Sequence, residues 1–192
     1  HRDHLKFEPG IDAQEIDRIF HIGPNNPSTR PTVQIDNVKM MNGYVVFSPG
    51  EGAGGGIFIR KGNTSFHNIV MTDNFASAGA GGAIFQYDAD SEMTVEDSTF
   101  SNNEAIAAGA IGGDGVLNVS GSTFSYNEAH NSGGAITHQG PFNLTNSTIY
   151  GNSAGQFGGG IDGGGPVTNI SHSTIAFNKI GYSGIPNDNN GG

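Results

Sequence analysis

The phrase "VEDSTFSNNEA" at 95–105 returns almost unchanged as "VSGSTFSYNEA" at 119–129. Four further segments align with the pair: "IDNVKMMNG" (35–43), "FHNIVMTDN" (66–74), "LTNSTIYGN" (144–152) and "ISHSTIAFN" (170–178). Their starts lie 31, 29, 24, 25 and 26 residues apart. A unit this short cannot enclose a core of its own, so it must bury its apolar residues against the neighbouring copies. No other feature narrows the choice of fold as far.

The aligned columns say how the units stack. Ile35, Phe66, Val95, Val119, Leu144 and Ile170 share one column, and two residues earlier stand Val33, Thr64, Met93, Leu117, Phe142 and Thr168. Period-two spacing of this kind predicts a short strand with one face inward. Met40, Met71, Phe100, Phe124, Ile149 and Ile175 form a second inward wall. Between the walls, small polar pairs such as Asp97-Ser98, Gly121-Ser122 and Asn146-Ser147 predict a bend. A row of Asn74, Asn103, Asn127, Asn152 and Asn178 predicts a second, followed two residues on by Ala76, Ala105, Ala129 and Ala154. A third strand starts at Ile57, Ile84, Ile111, Ile136 and Ile161, each after a glycine-containing run that lets the chain turn sharply. The unit therefore reads as three short strands and the bends between them.

Coiled and stacked, such units predict an all-β fold: a right-handed, single-stranded parallel β-helix, or solenoid, of about six coils. The hand follows from the preference of parallel crossovers. At ~4.8 Å per coil the rod is on the order of 30 Å long. A β-propeller is excluded because its blades need roughly 40 residues or more. Residues 1–31 are expected to be an N-terminal segment forming a cap or an incomplete first coil, 32–186 the repeats, and 187–192 a flexible tail. Within the first segment "RIFHI" (18–22) reads as a strand, while Ile16, Ile19 and Phe20 are spaced so that 11–20 also admits helical turns.

Composition removes several classes of function. A net charge of −10 opposes nucleic acid and anionic membrane surfaces, and no apolar run is long enough to span a bilayer. The chain has no cysteine, hence no disulfide framework or thiolate metal site. It begins at His1, as a processed product would. Dense Gly, Asn, Ser and Thr suit a secreted or cell-surface location.

The "GGAI" elements at Gly81-Gly82-Ala83-Ile84 and Gly133-Gly134-Ala135-Ile136, with the Phe-x-x-Asn elements at Phe100…Asn103 and Phe124…Asn127, resemble the repeats of polymorphic outer membrane proteins. The resemblance runs over about residues 32–178, with variants in the other coils. It implies a pectate-lyase-like right-handed β-helix displayed on a bacterial surface, often adhesive and exported as an autotransporter passenger. A repeat motif of this kind specifies the fold much more sharply than the function.

Candidate chemistry is sparse. The asparagine row is expected to form a structural ladder that satisfies backbone groups at the bend. Thr99, Thr123, Thr148 and Thr174 should face outward as a rank, which suits a solvent-facing strand and also admits ice binding. The alternative reading is a carbohydrate-active enzyme, either a polysaccharide lyase or a glycoside hydrolase. Hydrolysis needs paired carboxylates, for which Asp88, Asp114 and Asp162 are the candidates, although they share no column. Lyase chemistry needs cations, and no Lys or Arg lies between Gly62 and Asn178. Neither "DADSE" (88–92) nor the scattered histidines have metal-site spacing, so no metal or cofactor is expected. Glycosylation sequons stand at Asn63, Asn118, Asn143, Asn146 and Asn169. The expectation is a non-catalytic extracellular module, structural or adhesive. Its partners would be a glycan, a surface receptor or, through its ends, further copies in a filament; nucleic acid and membrane insertion are not expected.

Overall fold

The computed structural model describes residues 10–15, 17–23, 29–46 and 52–181. Among these residues there is no helix, and the strands form one seven-stranded and three six-stranded sheets, parallel throughout the named strands. Each sheet takes one strand from each successive coil, the arrangement of a β-solenoid of about six turns.

One coil shows the plan. The strand Glu92–Glu96 lies on the longest face and leads through Asp97 into Thr99–Ser101 on a hydroxyl-rich face. Past Asn102 and Asn103 the chain enters Glu104–Ala107, then turns at Ala108 into Ile111–Gly113. Three of the four corners turn on a left-handed residue. The first uses Asn37, Asn68, Asp97, Gly121, Asn146 and His172, with φ between 48° and 59°. The column contains mostly Asn, Asp and Gly because these enter that region at least cost.

Register holds from coil to coil. Ile57, Ile84, Ile111 and Ile136 pair in succession and are fully buried. Met40, Met71, Phe100, Phe124 and Ile149 form the opposing wall, also fully buried. Within it the rings of Phe100 and Phe124 stack at 4.8 Å and 4°. Equivalent residues therefore pack on their own kind, and each buried large side chain contributes about 1.5–3 kcal/mol relative to exposure.

The sequence pattern predicts three strands per coil, and the structure has four. The additional face consists of Tyr44–Val45, Phe75–Ala80, Glu104–Ala107, Glu128–Ser132, Ser153–Ala154 and Lys179–Ile180. Its inward column is a single alanine in most coils, and its register shifts between Ala105 and Ala107. One small apolar residue followed by an irregularity leaves no period-two signal. Near the N-terminus, Gly10–Asp12 and Phe20–Ile22 are strands that already pair with Lys39–Met41 and Ile57–Ile59. The helical alternative for 11–20 fails because Gln14 and Glu15 are left-handed, with φ of 55° and 59°. Residues 187–192 lie outside the described residues.

Candidate functional site

The asparagines of the second corner point inward. Asn127 Oδ1 accepts from the backbone N–H of Asn103 at 3.0 Å and from its Nδ2 at 2.9 Å. Asn127 Nδ2 in turn donates to Asn152 Oδ1 at 2.9 Å and to the carbonyl of Phe100 at 3.1 Å. The same pattern joins Asn74 to Asn103 and Asn152 to Asn178. Asn103, Asn127 and Asn152 are fully buried, so their amides serve the corner's backbone and are closed to solvent.

A second ladder lies at the first corner. The backbone N–H of Ser98 donates to Ser122 Oγ, that of Ser122 to Ser147 Oγ, and that of Ser147 to Ser173 Oγ, each at 3.1 Å. Each of these hydroxyls then donates to the carbonyl two residues back: Ser98 to Glu96, Ser122 to Ser120, Ser147 to Thr145 and Ser173 to Ser171. In sequence these serines read as small bend residues and as a hydroxyl column beside the threonines, not as a buried ladder. Their regular column was the available signal.

The three candidate aspartates do not converge. Asp88 is held in its turn by Ser91 Oγ at 2.9 Å and by Arg30 at 3.1 Å. Burial pushes its pKa up, but the hydrogen bonds from Ser91 and Arg30 outweigh this and leave it below the usual value. Asp114 is half-buried in the loop after Ile111–Gly113, while Asp162 stands on a strand beside Thr137. No hydrogen bond or ion pair joins any two of the three among the described residues. Nor is any group of three or more His, Asp or Glu placed to hold a metal ion there.

Two glutamates do pair in register elsewhere. Glu104 and Glu128 occupy paired positions on adjacent strands of the fourth face, about 4.8 Å apart along the backbone. His130 Nε2 lies 2.6 Å from Glu104 Oε1. The signal was the "NEA" ending of both copies of the repeated phrase, but its glutamates were read as part of the repeat.

Two columns flank the inward Met71, Phe100, Phe124 and Ile149 wall on the hydroxyl-rich face. Thr99, Thr123, Thr148 and Thr174 are in register. The parallel column runs Thr72, Ser101, Ser125, Tyr150 and Ala176, so the hydroxyl rank is broken at the fifth and sixth coils. Among the sequons, Asn118, Asn143 and Asn169 stack in one outward column. Asn143 Nδ2 donates to Asn118 Oδ1 at 2.8 Å, and Asn118 Nδ2 to Glu92 at 2.9 Å. Asn146 is exposed at a left-handed corner, and Asn63 Oδ1 accepts from the Glu92 N–H.

Inside the rod, Gln86 and His138 are buried in one column separated by Gly113. His138 Nε2 bonds the Gly115 carbonyl at 2.7 Å, which assigns the proton to Nε2 and leaves Nδ1 without a partner. Burial lowers the imidazole pKa, opposed by that bond and by Asp114.

Residues 121–139 match the Chlamydia polymorphic membrane protein repeat. The matched stretch holds both Phe124…Asn127 and Gly133-Gly134-Ala135-Ile136. No curated protein and no solved structure matches the chain significantly. No helix among the described residues is long and apolar enough to cross a membrane.

Proposed function

We propose that this chain, which carries a polymorphic membrane protein repeat over 121–139, is a surface-exposed β-helix module with a structural or adhesive role and no catalysis. The observation that carries this reading is the destination of its regular polar groups. The asparagine and serine columns are taken up inside the rod by its own backbone, and the three aspartates stay apart. What remains for recognition is the outer surface and the two ends. Beads coated with the purified chain should adhere to host cells, and coated beads that bind no better than albumin-coated ones would remove the adhesive role.

End-to-end assembly belongs to the same proposal. Ile170 and Ile175 are 44% and 47% exposed, although Leu144 and Ile149 in the same columns are fully buried. With Ile161 they line an open recess of about 430 Å³. Their columns begin at the other end of the rod with Ile35, Ile11 and Phe20. The first coil of a second copy therefore offers the apolar column and parallel edge that a next coil would, and unpaired edges favour such pairing. Light scattering should show mass growing with concentration, whereas a constant monomer mass would reject assembly.

The paired positions of Glu104 and Glu128 favour one alternative, glycoside hydrolysis, which works through two acidic side chains. Turnover of a neutral glycan that is lost in Glu128→Gln would establish it.

A further inference from the structure

Two of the six residues that turn the second corner are aromatic. Tyr126 and Phe177 stand where Asn42, Asp73 and Asn102 turn other coils, and both are left-handed, with φ of 56° and 57°. A bulky residue enters that region at a cost that Asn, Asp and Gly largely avoid. The core gives nothing in return, since the two side chains are 59% and 79% exposed. Gly151 turns the coil between them, and a Cβ there would lie 2.9 Å from Tyr126 Cε1, so the tyrosine ring rests over bare backbone. Tyr150 fills the middle, its ring 5.8 Å from that of Tyr126 and 5.3 Å from that of Phe177. Three rings from three successive coils thus make a continuous apolar ridge along one edge of the rod. The packing set against that strain is ring on ring and ring on bare backbone along an exposed edge, an arrangement suited to holding a ligand.

The surroundings select the ligand's chemistry. The face on one side presents Thr123, Ser125 and Thr148, and the face on the other presents Glu128, Ser153 and Lys179. No Lys or Arg occurs from Gly62 to Asn178. An anionic polymer would meet Glu104 and Glu128 with Lys179, at the last coil of the ridge, as the one basic residue in that register, so the acidic charge prevails along the edge. A neutral, polyhydroxylated polymer meets what the edge supplies: rings for the apolar faces of its sugars, and hydroxyls and carboxylates for its hydroxyl groups.

We propose that the Tyr126–Tyr150–Phe177 ridge binds a neutral polysaccharide lying along the rod. This deepens the adhesive reading and takes its biological meaning from it. The test uses depletion of the whole chain from solution by insoluble cellulose, chitin, xylan and mannan, with polygalacturonate as the anionic control. The variants are Tyr126→Asn/Phe177→Asn, which restores the residue type of the other corners, and Tyr150→Ser. At least one neutral polymer should bind the chain, polygalacturonate should not, and the double variant should bind at least about tenfold more weakly with its melting temperature unchanged or raised. Binding by none of the neutral polymers, or equal binding by the double variant, would overturn the proposal. Bead adhesion measured in parallel separates the two claims. Adhesion abolished by protease treatment of the target cells, with no polysaccharide bound, points to a protein receptor: it overturns the ridge proposal and leaves the adhesive reading standing. Polysaccharide binding without adhesion upholds the ridge and removes the adhesive reading.

Discussion

Replacing Asn127 by alanine tests whether the inward asparagines hold the rod together. The substitution deletes the acceptor of two buried donors, the Asn103 backbone N–H and the Asn103 Nδ2. It also takes the donor from the carbonyl of Phe100. Asn152 Oδ1 keeps its bond from the backbone N–H of residue 127, so the damage falls on the preceding coil. Each orphaned buried donor costs about 1–3 kcal/mol, which gives about 2–6 kcal/mol for the pair. Urea unfolding is the direct assay, with Thr123→Ala on the outer face expected to change stability by less than about 0.5 kcal/mol. Hydrogen exchange supplies a local reading, because the Asn103 amide should lose protection more than amides two coils away. A loss below about 1 kcal/mol, with Asn103 still protected, would refute the argument that these bonds carry the corner.

The remaining expectations concern acid, backbone proximity and glycans. His138 has a lowered pKa when folded, so below about pH 6.5 the unfolded chain takes up a proton that the folded chain resists. Its contribution is intact above that pH and declines as pH falls toward the folded value; the melting temperature of His138→Gln should therefore drop less than that of the wild type between about pH 7.5 and 5.5. Gly134→Ala would drive a Cβ into the Gly159 carbonyl, and thermal melting should show a loss of at least about 2–3 kcal/mol, because the obstacle is backbone and cannot rotate away. In a glycosylating host, mass spectrometry should find that Asn118 and Asn143 are not both occupied on one molecule, since their stacked positions lie about 4.8 Å apart.

Legibility in the sequence followed the size and regularity of the side chains. Ile84, Ile111 and Ile136, or Phe100 and Phe124, announce inward columns because a large apolar residue in a repeated position has few other uses. The fourth face was hidden because Ala76, Ala105 and Ala129 are small and the strand then loses register. The serine ladder was hidden because Ser98 and Ser122 suit an ordinary bend as well as a buried hydrogen bond. Tyr126 and Phe177 share their corner column with Asn, Asp and Gly, so the column carries no pattern; their left-handed backbones and exposure place them on one edge.

The period alone required a stacked coil, since units of 24 to 31 residues cannot bury a core without neighbours, and the apolar columns determined which residues line it. The tertiary structure decided what meets across coils. Glu104 reaches His130, and Tyr126 reaches Tyr150, only because parallel register brings residues about 25 positions apart in the chain to neighbouring places on one surface. A single repeat contains neither pair, because the outer surface of a solenoid is assembled from different coils, while its inner rule is written in each one.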